Sequence, residues 1–155
     1  MENAPAERMQ CLPAMDGEAL RKVAALQGAI AELDQVVLPT EHLIHAGMYA
    51  RTVRMAPGVV LAGAMLKVAT IVIVSGPCTV FLGEETRDLD GFNVLAGAAG
   101  RKQAFVSHGE VCITAIFPTS AQTVADAEVE ATDEYDALQT RTPQLQENKQ
   151  CHTQP

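Results

Sequence analysis

The run GVVLAGAMLKVATIVIVSG, Gly58 to Gly76, is the most apolar part of the chain, and Lys67 is its only charge. A helix that spans a bilayer needs about 20 predominantly apolar residues, so Val59–Ser75 is barely long enough. Lys67 would lie close to the middle of such a helix, at a cost of about 3 kcal/mol. The segment TIVIV is β-branched, Pro57-Gly58 and Gly76-Pro77 are turn signals, and no basic flank sets an orientation. The run therefore predicts two adjacent strands and their turn, broken around Lys67–Ala69, and no membrane segment.

The same texture extends from Gly47 to Phe117, where short β-branched runs alternate with Gly, Pro, Asn and Asp. The pattern predicts strands at Met48–Met55, Val59–Leu66, Thr70–Ser75, Thr79–Leu82, Thr86–Leu89, Phe92–Ala96, Gln103–Ser107 and Val111–Phe117. Short strands joined by tight turns, without the long crossovers that parallel sheets need, give a mainly β fold. The expected architecture is a small antiparallel jelly roll, or cupin-like barrel, over residues 39–118. Aromatic residues are 4% of the chain and Trp is absent, so the core must be aliphatic. The same scarcity removes the stacking platforms used for bases and sugars.

The ends read differently. Residues 1–15 are polar and aperiodic and predict a flexible arm. Asp16 is a candidate N-cap, and Leu20, Val23, Leu26, Ile30 and Leu33 recur at helical spacing, predicting an amphipathic helix within 16–38. Residues 119–155 are acidic and then polar, predicting an arm or tail. The two ends suggest arms whose removal, at 1–38 or 119–155, leaves the barrel folded. Charge follows the same division: residues 1–41 carry −4, 42–117 carry +1 and 118–155 carry −5, within a net charge of −8. No basic footprint for nucleic acid is present. Cys11, Cys78, Cys112 and Cys151 fit no zinc or redox spacing, and Cys78 and Cys112 read as small buried hydrophobes. MENAPAERMQ lacks an apolar signal core, which predicts a host cytoplasm or a particle assembled there.

The segment from Pro39 to Glu85, with GFNVLAGAAGRKQAFVSHGEVCITAIFPT after it, resembles the cupin-type double-stranded β-helix. The resembling features are Ala56-Pro57-Gly58 at a strand end, a hydrophobic hairpin to Ser75-Gly76, and the turn Gly97-Ala98-Ala99-Gly100. The texture is similar to small cupin-like proteins of tailed bacteriophages. Cupin enzymes hold a metal through two motifs. Registered on Gly58 and on the Ala98–Gly100 turn, those motifs place their ligands at Ala64, Leu66, Thr70 and Gln103. None of these is a usual ligand of that class, and metal sites need several converging N or O donors. The resemblance thus implies the fold without its usual metal site.

Other candidates are few. His42 and His45 form an H-x2-H pair before the first expected strand, and with His108 they give an alternative metal site. Tyr49 and Arg51 share one face of an expected strand and Arg54 takes the other; these three are candidates for contact with another subunit. Ser75, Ser107 and Ser120 lack a nucleophile-elbow context, and GAAGRK opens no expected helix that would cradle phosphate. The expectation is a non-enzymatic structural protein without a cofactor, forming a dimer or trimer. Its larger partner would be a protein shell such as a major capsid protein, which it would cement or decorate in the virion. The alternative is a cupin-type metal-dependent enzyme or small-ligand-binding barrel with a displaced site.

Overall fold

The computed structural model describes residues 11–138. Strand β1 (Cys11–Leu12) precedes helix α1 (Gly17–Ala31). The strands that follow are β2 (Thr40–His45), β3 (Met48–Met55), β4 (Val60–Ala62), β5 (Thr70–Ser75), β6 (Cys78–Phe81), β7 (Thr86–Leu89), β8 (Phe92–Gly97), β9 (Ala104–Ser107) and β10 (Val111–Pro118). Helix α2 (Val124–Ala131) and a short 3-10 turn at Tyr135–Ala137 complete the order.

Two sheets result. One runs β1-β8-β5-β10-β3-β2 and the other β4-β9-β6-β7. Leaving β1 and β2 aside, β3 to β10 divide alternately in pairs between two four-stranded sheets. Every pairing among them is antiparallel. This is the two-Greek-key arrangement of a jelly roll. The main core lies between the sheets and is aliphatic as the composition requires, with Val72, Val74, Val80, Leu95 and Ile113 at its centre and Phe105 its one aromatic.

The apolar run at Gly58–Gly76 does hold two strands, and its break covers Lys67. They do not form a hairpin: β4 belongs to the smaller sheet and β5 to the larger. The first strand is also shorter than expected. β4 pairs with β9 over Val60–Ala62 only, and contact resumes at the isolated bridge Leu66↔Arg101. Carrying the chain from one sheet to the other takes up the residues between.

The expected arms are corrected in their inner parts. Leu12 joins β1 to β8 in parallel and is buried, as is Met15. Asp16 caps α1 by accepting from the Ala19 amide at 2.8 Å, and Val23 packs the helix down. The helix ends at Ala31, and 32–38 continue without helix to the buried Leu38. After β10, Thr123 caps α2, whose Ala127 and Ala131 pack on Tyr49 and Phe117. Removing 1–38 or 119–155 would therefore strip core residues, and the barrel would not survive either deletion intact. The remaining parts of both expected arms, together with Cys151, lie outside the described residues. Cys78 is buried as expected, whereas Cys112 is half-buried on the outer face of β10.

The C-terminal half of α1 packs lightly. Leu26 and Leu33 of the expected helical face are exposed, as are Val36 and Val37 after it. Val23→Ala is therefore expected to cost about 2 kcal/mol, and Leu33→Ala less than about 0.5 kcal/mol, in urea unfolding.

Candidate functional site

The larger sheet has two faces of different character. Its inner face carries the cross-strand row His42–Arg51–Ala115–Val72–Leu95. Beside this row Tyr49 is fully buried: its ring lies parallel to His42 at 6.0 Å and edge-on to Phe117 at 5.1 Å. The Tyr49 hydroxyl and His42 Nδ1 are 2.7 Å apart. Burial raises the Tyr49 pKa, so the phenol stays protonated at neutral pH. Arg51 reaches Glu128 of α2 at 3.3 Å, pairing a buried carboxylate.

These positions correct two of the three expected contact residues. Tyr49 and Arg51 face inward, where a second subunit cannot meet them. Arg54 faces outward and is exposed, but it reaches Glu41 at 3.4 Å. Tyr49, Arg51, Val53 and Met55 do share one face of β3, and that face is the inner one.

The alternative metal site is not assembled either. His42 and His45 lie in β2 and not in a loop, and their odd spacing puts them on opposite faces. His108 sits at the far turn of the smaller sheet, with Nε2 2.7 Å from the Thr79 hydroxyl. Among the described residues no group of three or more His, Cys, Asp or Glu could hold a metal ion. The cupin positions do not fit one. Ala64 and Leu66 bring hydrocarbon to the interior cavity, and the Thr70 hydroxyl accepts from Arg101 Nη2 at 2.5 Å. Gln103 commits its amide nitrogen to the Phe81 carbonyl at 3.3 Å.

That cavity, about 820 Å³, lies between the sheets and opens beside the C-terminal half of α1. Leu61, Val72, Phe105 and Ile113 give it apolar walls, and Arg51, Arg101, Gln103 and Glu128 add polar groups. Its lining contains no Ser or Cys.

The outer face of the larger sheet is apolar too. One row reads Leu43–Ala50–Ile116–Ile71–Ala96, and Val94 and Phe92 continue it along β8. Phe92 is 71% exposed, Leu43 61%, Val94 54% and Ile71 49%. Among the described residues the face carries two carboxylate or guanidinium groups, Glu41 and Arg54, and they pair with each other. An antiparallel sheet with one solvated face alternates apolar and polar residues; β5, reading TIVIVS, is apolar on both. That two-sided apolar reading was the available sequence signal for this face.

No protein-family model and no curated protein matches the chain. Solved structures similar to it include a cupin superfamily protein from Desulfitobacterium hafniense. That match has 16% identity and a TM-score of 0.47, covering 59% of this chain and 86% of that one. A Cupin 2 conserved barrel domain protein from Salinispora arenicola gives 15% and 0.46, covering 77% and 90%. The Cupin_2 domain of an XRE family transcriptional regulator from Enterobacter cloacae gives 17% and 0.45, covering 54% and 99%. At these identities no activity transfers to this chain, and the jelly-roll assignment stands on the strand order.

Proposed function

We propose that this chain is a non-enzymatic structural protein that associates with copies of itself through the outer face of the six-stranded sheet. The observation that carries the reading is the largely apolar face, on which Glu41 and Arg54 offset each other, on a protein of net charge −8. Two such acidic molecules repel across most of their surfaces. This face is where they can meet without like charges opposed. Contiguous exposed apolar patches on otherwise polar proteins mark interaction sites. A sheet face meeting its own copy about a two-fold axis is self-complementary. The resemblance to phage proteins extends the proposal to a larger assembly, in which such oligomers cement or decorate a shell.

The full chain is expected to sediment as a dimer at micromolar concentration. Ile71→Lys combined with Val94→Lys is expected to weaken self-association at least about 30-fold, the effect of losing a hot spot of about 2 kcal/mol. Both side chains point to solvent in one subunit, so the circular dichroism of the variant should match the wild type. A wild-type protein that remains monomeric at tens of micromolar would sink the proposal. Co-sedimentation of wild type and variant with phage shells tests the larger assembly separately.

A further inference from the structure

Arg51 points into the barrel and yet is not closed off. Its row on the inner face continues through Ala115 and Val72, and all three line the cavity. Arg51, Val53 and Ala115 are only half-buried, although the strands turn them away from the outer face. Their accessible surface is therefore surface that the cavity leaves open. For the Arg51 side chain it amounts to 21%.

The groups that Arg51 meets stand on the same wall. Its Nη1 donates to Glu128 Oε1 at 3.3 Å, and the Tyr49 hydroxyl lies within hydrogen-bonding reach. Tyr49 and Glu128 also line the cavity. A guanidinium has five N–H donors, so two partners leave donors to spare. None of the Arg51 nitrogens is among the enclosed side-chain atoms that lack a partner. The spare donors are thus reachable from the open space.

Electrostatics select what can use them. Arg51 and Glu128 already offset each other, and Glu128 is 3% exposed. An anion that drew Arg51 away would leave a buried carboxylate unpaired, which is strongly unfavourable. A cation would face the guanidinium as a like charge. An uncharged acceptor disturbs neither partner. Around the pair the walls are hydrocarbon, with Leu61, Val72, Phe105 and Ile113, and the volume of about 820 Å³ suits a small organic molecule. Leu26, Leu33 and Val36, exposed and on the cavity's rim, make the entrance apolar as well.

We propose that the cavity binds an uncharged apolar molecule bearing a carbonyl, whose oxygen accepts from Arg51 while its hydrocarbon body lies against the aliphatic walls. The Arg51–Glu128 pair stays intact in the complex and offers a strong donor without a net charge. This binding is independent of association through the outer sheet face.

Isothermal titration of the full chain with 2-octanone and octanoate tests it. The two ligands share a chain length and differ in the charge at the oxygen end. 2-Octanone is expected to bind at least about tenfold more tightly than octanoate. Equal or tighter binding of octanoate would overturn the proposal, as would no binding of the ketone. Arg51→Met combined with Glu128→Leu removes both charges together, so that neither is left buried and unpaired. That variant should bind 2-octanone about tenfold more weakly, the effect of one hydrogen bond to a charged donor, and unchanged affinity would overturn the proposal. The wild-type comparison decides whether or not the variant folds. Ala115→Phe, which fills the cavity beside Arg51 from β10, should abolish binding of the ketone. Undiminished binding to Ala115→Phe would place the ligand on the outer sheet face and would equally overturn it.

Discussion

Replacing Gly76 by Ala is expected to lower the unfolding free energy by about 4 kcal/mol, near the top of the range for single substitutions. Gly76 follows β5 with φ +109°, a backbone region that L residues rarely adopt. Its amide donates to the Gly91 carbonyl at 2.9 Å. A Cβ there would lie 2.2 Å from the Glu110 carbonyl oxygen, which is backbone and cannot rotate away. Conformational strain alone accounts for about 1–2 kcal/mol, and displacement of the 110–111 backbone for the rest. Gly58→Ala separates the two parts. Gly58 also has positive φ, +77°, but nothing lies within 4 Å of its Cβ position. That variant should lose about 1 kcal/mol. Chemical denaturation of both variants checks the pair, and equal losses would contradict the close approach at Glu110. The Ser75-Gly76-Pro77 turn is thereby a structural joint: it seats the β5–β6 connection under the β9–β10 turn and closes one end of the barrel.

That turn was legible as punctuation, and so was most of the barrel, because alternation and turn residues are local signals. What the sequence hid depends on distant partners. TEHLIH lacks a strand signal since its inward residues include Thr40 and His42; inside, the Thr40 hydroxyl donates to the Leu38 carbonyl and His42 meets the Tyr49 hydroxyl. VADAEVEA has the local pattern of an acidic arm or a short exposed helix, because an acid such as Glu128 is rarely buried without a partner. Its counter-charge is Arg51, 77 positions earlier, and no local pattern announces that pairing. The inward direction of Arg51 is hidden for the same reason: a charged residue in a strand defaults to the solvent face unless an acid waits inside. Arg101 and Gln103 were visible only as part of a turn with no phosphate-binding context, although Gln103 had been located as a position where a cupin carries a ligand. Their burial follows from β8 and β9 lying in different sheets, which makes the connecting loop cross the end of the barrel.

Glu134→Gln is expected to cost about 2–3 kcal/mol at pH 7, and the cost should shrink in acid. Glu134 accepts from Lys102 Nζ at 2.8 Å and from the Met65 amide at 2.5 Å. Lys102 has only 4% of its side chain exposed, so losing the carboxylate leaves an ammonium desolvated and unpaired. Breaking a buried pair in this way costs about 3–5 kcal/mol, and the 37% exposure of Glu134 brings screening that lowers the figure. Burial pushes the Glu134 pKa up, but the Lys102 bond, the Met65 amide and the Lys102 charge together outweigh it and hold the value below 4.5. A carboxylate with a depressed folded pKa stabilises fully above its unfolded value and loses that contribution as pH falls through the folded one. Wild type and Glu134→Gln should therefore differ most in urea unfolding near pH 7 and converge toward pH 3. A constant difference across that window would mean that the ionised pair is not what holds this corner.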